Sequence, residues 1–239
     1  MKLYVYCVAE GVESIAETVR GVSNAPVRLL NIEGLAVLVS NLEADTVPVN
    51  RENVLAHAAV VRSVMDSTTP LPFRFGTFVS EAQLRSYLET RKPALETKLA
   101  HVRDCVEMSV KIIWELTTEV PGEQQPLAAQ VTGTAFLAEK RREILGDERR
   151  SAAAKEISTW LHQSLSGLTR DEQVTVRPNE KLVVAASHLV ERPRVKQYQD
   201  KVAEVHESRP DLHFLLSGPW PPYSFVNIEL EFKTQFGVS

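Results

Sequence analysis

The chain of 239 residues is predicted to adopt an α+β fold made of two successive β-α-β-β-α-β units. Three observations predict this fold. Some short segments alternate apolar and polar residues as strands do, others repeat apolar residues at helical spacing, and both halves of the chain show the same order of segments. This order suggests two tandem ferredoxin-like units joined by a helix. No repeat of individual residues links the halves, so only their architecture is similar.

The first unit is expected to contain four strands and two helices. The strands are predicted at about 2–9, 27–32, 35–40 and 73–79, and the helices at 12–21 and 51–67. Asn50 has the character of an N-cap, and an apolar row at helical spacing predicts the core-facing side of the second helix. This row consists of Val54, Ala58, Val61 and Met65.

A linking helix is predicted to follow the first unit. Ser80 and Gln83 form a capping-box pattern at its start, and Pro93 should kink the helix or restart it because proline removes an interior hydrogen bond. We therefore expect an N-terminal domain at 1–100, which includes this helix, and a C-terminal domain at 101–239 with an extended tail.

The second unit repeats the order of the first. Strands are predicted at about 106–114, 172–177, 181–190 and 212–217, a long helical region at 131–167, and a helix that begins at Pro193. A loop is expected at 121–126, and the charged stretch at 139–150 has the mixed signs of a solvent-exposed helix face. Such a face could also dock on a partner.

Composition excludes several classes of protein. Hydrophobic residues make up 44% and charged residues 24%, which is typical of globular domains, and no apolar run is long enough to span a membrane. A net charge of −4 gives no general attraction to nucleic acid. Cys7 and Cys105 are far apart, and the N-terminal segment alternates like a strand, so we expect a cytoplasmic protein with two free thiols.

The sequence contains no recognisable catalytic, cofactor-binding or metal-binding motif. None of the six histidines belongs to a His-Glu-x-x-His pattern, and the glycine-rich patterns that bind phosphate are missing. His57 lies beside apolar residues of its predicted helix, which favours a packed histidine over a ligand. The prediction is a protein that is not an enzyme and needs no cofactor.

Two segments stand out as candidates for partner binding or for a domain junction. In the first, Leu71–Thr77, Arg74 lies between Phe73 and Phe75, so alternation places both aromatics on one face. Arg74 is either an exposed cation or a buried guanidinium that fixes a domain junction.

The second segment, Gly218–Phe225, carries three prolines and displays Trp220, Tyr223 and Phe225. It is either a rigid aromatic strip that binds a partner or a strap packed over its own domain. Prolines on both sides of Trp220 favour the strap for that residue, whereas the hydroxyl of Tyr223 could stay in water while a partner covers the ring.

These two segments, together with Leu3–Tyr6 at the start, resemble the GvpF/GvpL family of gas vesicle proteins. The shared patterns are Leu-Tyr-Val-Tyr, Leu-Pro-x-Arg-Phe-Gly and Gly-Pro-Trp-Pro-Pro-Tyr-x-Phe, and together they span almost the whole chain. Cys7 departs from the family, which often has glycine there. The resemblance implies two α+β domains, the second a modified ferredoxin fold, and no known enzymatic activity.

The resemblance also implies a function. A member of this family would be an accessory or minor structural protein in the formation of the gas-filled shell, in contact with the small hydrophobic shell protein and other accessory proteins. An exposed apolar surface on a shell subunit needs a partner to cover it before assembly. The alternative is a regulatory module that responds to a small molecule bound between paired ferredoxin-like domains, and an enzyme is the third choice.

Overall fold

The computed structural model describes residues 2–44, 46–113, 148, 151–176, 182–226 and 228. The strands of this part of the chain are β1 Lys2–Ala9, β2 Arg28–Ile32, β3 Leu35–Leu42, β4 Leu71–Pro72, β5 Phe78–Val79, β6 Cys105–Ile113, β7 Asp171–Val176, β8 Leu182–Glu191 and β9 His213–Trp220. The helices are α1 Arg51–Met65, α2 Glu81–Val102, α3 over residues 151–165, and α4 Val195–Glu207.

The strands form two antiparallel sheets, which confirms the α+β class. The first sheet has the order β2-β3-β1-β4, with β5 also paired to β1, and the second has the order β7-β8-β6-β9. The two sheets come from the two halves of the sequence, as predicted.

The chain divides into two compact units, of which one is discontinuous in sequence. Met1–Glu107 and Pro219–Ser239 form the first unit, and Met108–Gly218 forms the second. From sequence, the residues after 218 were expected in the C-terminal domain. The difference has a physical cause, because the buried carboxylate of Glu107 accepts hydrogen bonds from both the backbone and the hydroxyl of Ser224.

Strand β1 forms the centre of the first unit, since it is buried on both faces from Leu3 to Ala9. The hydroxyl of Tyr6 lies 2.9 Å from the Ser40 hydroxyl and accepts the Val22 N–H at 3.0 Å. A buried hydroxyl without a partner would cost free energy, so these bonds fix the segments that supply them.

The second buried tyrosine connects β1 to helix α1. The hydroxyl of Tyr4 accepts the Gly76 N–H at 3.1 Å and lies 3.0 Å from Nδ1 of His57. Because this hydroxyl already accepts one hydrogen bond, its own proton is available for His57, and we assign the ring proton of His57 to Nε2. His57 is therefore a packed core residue, as its neighbours in sequence suggested.

Helix α1 begins as predicted but turns a different face to the core. The side chain of Asn50 accepts the Asn53 N–H at 2.9 Å, which confirms the N-cap. The predicted core row is partly wrong, because Val54 and Ala58 are exposed. The buried residues are Asn53, His57, Val60, Val61, Val64 and Met65.

Polar contacts explain this rotation of α1. His57 meets the hydroxyl of Tyr4, and the Asn53 side chain accepts the Ser23 N–H at 3.0 Å. Both faces of the helix are apolar, so spacing alone could not choose between them.

The helix predicted at 12–21 does not form. Residues 12–16 have no regular secondary structure, and Val12, Ile15 and Val19 nevertheless pack against the core. The backbone that follows is bonded outside any helix, since the Gly21 N–H donates to Ala25 at 2.8 Å and the Val22 N–H donates to Tyr6. These contacts replace the i→i−4 bonds that a helix would need.

The strand predicted at 73–79 is interrupted. It is replaced by β4, which ends at Pro72, and β5, which begins at Phe78. Between them the chain turns at Gly76, whose φ of +84° lies in the left-handed region that favours glycine. The N–H groups of Phe73 and Gly76 still bond to β1, through the carbonyl of Tyr6 and the hydroxyl of Tyr4.

Helix α2 confirms the predicted capping box and excludes a restart at its proline, one of the two predicted alternatives. Both bonds between Ser80 and Gln83 are present, at 3.2 Å and 2.9 Å. The helix continues through Pro93 without a restart, and the Thr97 hydroxyl donates to the Pro93 carbonyl at 2.9 Å.

The second unit follows its predicted order. A 3-10 turn at Arg192–Arg194 contains Pro193 and leads into α4, and β7, β8 and β9 lie within a few residues of their predicted bounds. The loop at 121–126 lies outside the described residues. So does the charged stretch at 139–150 except for Glu148, and the described part of the predicted 131–167 helix is 151–165.

Close approach of backbone and side chain makes Gly21 essential to the first unit. A Cβ at this position would lie 1.9 Å from the Tyr6 hydroxyl and 2.7 Å from its ring. Tyr6 cannot retreat, because Ser40 and Val22 hold its hydroxyl. We expect Gly21→Ala to lower the free energy of unfolding by about 1–3 kcal/mol, the usual cost of overpacking, in urea denaturation. Unchanged stability would show that this contact is not close.

The buried imidazole of His57 predicts a pH dependence of stability. Burial lowers the pKa of His57 to about 4, because the charged imidazolium would be poorly solvated in the core. In the unfolded chain its pKa is about 6.5. The stabilisation from neutral His57 is therefore fully present above pH 6.5 and is lost as the pH falls towards 4.

The test is chemical denaturation of the wild type and of His57→Gln at several pH values. The wild type should lose about 3 kcal/mol more than the variant between pH 7 and pH 4, which corresponds to the shift in pKa. Burial also lowers the pKa of His188, but His188 is present in both proteins and its effect cancels. Parallel pH profiles would contradict the assignment.

Candidate partner-binding segments

The segment Leu71–Thr77 places its aromatics in the core of the first unit. Phe73 is fully buried, and Phe75 is half-buried, with its ring centroid 6.2 Å from that of Tyr4 and 5.9 Å from that of His57. Arg74 is exposed, which agrees with the first of the two interpretations made from sequence. Phe73 therefore stabilises the unit and is not accessible to a partner.

The C-terminal aromatic segment, defined here as Pro219–Phe225, is held rigidly. Pro221 and Pro222 are buried, and a 3-10 turn over Tyr223–Phe225 follows them. The carboxylate of Glu107 accepts the Ser224 N–H at 2.8 Å and the Ser224 hydroxyl at 2.6 Å. A charge-assisted pair of hydrogen bonds to a mostly buried carboxylate is strong, so the turn has little freedom.

The aromatic side chains of this segment differ in exposure. Trp220 exposes 45% of its surface and Tyr223 exposes 39%, while Phe225 is half-buried. The segment is therefore anchored in its own unit and also presents two large aromatic surfaces. It is packed against its own unit, as expected of a strap, and it exposes aromatic rings, as expected of a partner-binding strip.

Tyr223 is 39% exposed, but its hydroxyl group is not fully solvated. Burial raises the pKa of Tyr223, and the nearby Cys7, Tyr4 and Glu107 raise it further. The phenol oxygen thus lies in a poorly solvated environment near β1. The sequence-based argument for Tyr223, that its hydroxyl stays in water, is not supported by this placement.

Both candidate segments meet the same strand. The ring of Phe75 contacts that of Tyr4, and Tyr4 and Cys7 of β1 help to raise the pKa of Tyr223. Sequence reasoning missed Glu107, which anchors the C-terminal segment. Its alternation in β6 predicts a solvent-facing side chain, and only the distant Ser224 explains its burial.

The described residues contain no cluster of three or more histidine, cysteine or carboxylate side chains that could hold a metal ion. None of the helices in this part of the chain has the length and apolar character needed to cross a membrane.

Comparison with known proteins identifies relatives along nearly the full length of the chain. The family described as gas vesicle synthesis protein GvpL/GvpF matches residues 2–227. Gas vesicle protein L2 of Halobacterium salinarum is 29% identical over 93% of this chain and 90% of its own length. Gas vesicle protein L of a Streptomyces species is 27% identical over 95% of this chain and 94% of its own length.

Solved structures show the same fold. The crystal structure of gas vesicle protein GvpF from an Anabaena species aligns with a TM-score of 0.75 at 21% identity, covering 95% of this chain and 97% of that one. GvpF from Microcystis aeruginosa aligns with a TM-score of 0.75 at 17% identity, covering 95% and 99%. The family match spans both described units, and this chain belongs to the GvpL/GvpF family of gas vesicle synthesis proteins.

Proposed function

We propose that this protein is an assembly factor of gas vesicles that binds the small hydrophobic shell protein. Membership of a gas vesicle synthesis family supports the assembly role, and that family is not known for enzymes. The observation that carries the proposal is the rigid C-terminal aromatic segment, on which Trp220 and Tyr223 remain 45% and 39% exposed. The protein would act in the cytoplasm, at the growing vesicle, together with other accessory proteins.

A rigid aromatic surface suits the capture of an apolar subunit. Trp and Tyr supply large contact areas and are the residues most often found at the energetic centre of interfaces. The two buried prolines and the Glu107–Ser224 pair fix the backbone before binding, so little conformational entropy is lost when a partner docks. We propose Trp220 as the main contact with the shell protein. It is more exposed than Tyr223, whose hydroxyl end lies in a poorly solvated environment.

We also propose that each unit is a ferredoxin-like domain. If the strands of each half are numbered separately, and β4 and β5 are treated as one interrupted strand, both sheets have the order 2-3-1-4. This is the order of the β-α-β-β-α-β arrangement. In the first unit an irregular segment replaces the first helix, whereas the second unit has α3 in that position. The role of such domains would be to hold the apolar surfaces in place.

The proposal is tested by measuring binding and stability on the same variants. We expect Trp220→Ala to weaken capture of purified shell protein by about 2 kcal/mol or more, which is roughly thirtyfold in the dissociation constant. Its Tm should stay within a few degrees of the wild type. Tyr223→Ala should weaken capture and should also lower Tm, because burial raises the pKa of Tyr223 and its hydroxyl therefore lies in a poorly solvated environment within its own unit.

Val174→Ala is the matched control, since Val174 is an apolar residue that is 36% exposed in the second unit. This variant should bind like the wild type. If Trp220→Ala reduces Tm strongly while the folded fraction keeps its affinity, the segment is a strap and not the interface.

A further inference from the structure

The outer face of helix α1 is unusually apolar for a surface that meets solvent. Val54 is 42% exposed and Leu55 is 55% exposed, and the neighbouring Ala58 and Ala59 are also exposed. Val49, just before the N-cap, is 84% exposed. Surface helices normally place polar residues opposite the core, and a helix that is apolar all round is normally buried.

Among the described residues of the first unit, no contact requires this face to be apolar. The opposite face already supplies the packing against β1, through His57, Val60, Val61 and Val64. Four exposed apolar positions in adjacent rows form one continuous patch, because residues three and four apart are neighbours on a helix. Contiguous exposed apolar patches of this kind mark interaction sites.

Two arginines bound the patch at its ends. Arg51 and Arg62 are both exposed, and their separation of eleven positions, about three helical turns, places them on one line about 16 Å apart. Val54, Leu55, Ala58 and Ala59 lie between them. Neither guanidinium forms an ion pair with a carboxylate in the part of the chain that the structure describes.

The position of Arg51 is unfavourable in the isolated protein. It is the first residue of α1, where the helix dipole is positive and a cation is destabilising. An anionic group from a partner would remove this cost, because it would pair with Arg51. It would also interact favourably with the positive end of the helix dipole. The charges at the ends of the patch thus specify the partner more narrowly than the apolar centre does.

We propose that this α1 surface, made of Arg51, Val54, Leu55, Ala58, Ala59 and Arg62, docks an amphipathic helix of a partner protein. That helix has an apolar face flanked at both ends by carboxylates about three turns apart. The small side chains of Ala58 and Ala59 let the two helices approach closely, and the arginines pair with the carboxylates and set the register. The surface does not involve the C-terminal aromatic segment, so this proposal does not rest on binding of the shell protein.

The test uses designed helical peptides as probes of the full chain. One peptide carries a leucine and alanine face with two glutamates eleven positions apart, and a second has lysines in place of the glutamates. A third keeps the glutamates and scrambles the apolar positions. We expect the first peptide to bind at least tenfold more tightly than the other two, measured by fluorescence anisotropy.

Variants of the chain then locate the site. Leu55→Gln should weaken the glutamate peptide at least tenfold, while Leu216→Gln, at a residue 37% exposed in the second unit, should leave binding unchanged. The double variant Arg51→Glu, Arg62→Glu should prefer the lysine peptide, and this reversal is a readout that loss of stability cannot produce.

Several results would overturn the proposal. These are absence of binding, equal binding of the glutamate and lysine peptides, or equal weakening by Leu55→Gln and Leu216→Gln. Sedimentation velocity of the chain alone tests whether a second copy of the chain occupies this surface instead. A dimer that Leu55→Gln dissociates would show that the surface pairs two copies of this chain.

Discussion

Two buried tyrosine hydroxyls in strand β1 organise the first unit. Tyr4 and Tyr6 have no exposed surface, and each hydroxyl needs hydrogen-bond partners that only distant segments can supply. Tyr6 obtains them from Ser40 and Val22, and Tyr4 obtains them from His57 and Gly76. These bonds join β1 to β3, to the irregular segment before β2, to α1 and to the turn between β4 and β5.

The rotation of α1 is a consequence of this arrangement, and so is the surface that α1 presents. His57 must face Tyr4, so the helix positions on the opposite side, including Leu55 and Ala59, must face solvent. The apolar patch is therefore built into the core packing and does not depend on a flexible loop. At the other end of the chain the Glu107–Ser224 pair has a similar effect, because it holds exposed aromatics on a fixed backbone.

Local patterns in the sequence predicted much of the fold. Alternation located β1 and β6, and the side chains of Asn50 and Ser80 identified two helix starts, because capping depends on residues within one turn. The errors arose where contacts between residues far apart in sequence determine the local structure. The segment at 12–21 has helical spacing, yet its backbone follows the core and Tyr6, and the face of α1 depends on a histidine that pairs 53 positions away.

The candidate sites were predictable in part. Composition identified the aromatic segment and its three prolines, but the anchoring of Ser224 by Glu107 joins residues 117 positions apart and could not be predicted from local sequence. The exposed α1 surface could not be predicted from sequence for a different reason. Its apolar residues resemble a core row, and the sequence contains no sign of which of two apolar faces is buried.

Native-state thiol labelling of α1 tests the central claim, that the Tyr4–His57 contact sets the rotation of this helix and exposes its apolar face. Single substitutions Ala58→Cys and Val60→Cys place a thiol on the exposed and buried faces, while Cys7 and Cys105 are buried and provide a slow baseline. We predict that the thiol at 58 reacts nearly as fast as in the unfolded chain and that the thiol at 60 reacts as slowly as the buried cysteines. Rapid labelling at 60 with protection at 58 would contradict the account, because α1 would then turn Val54 and Ala58 towards the core.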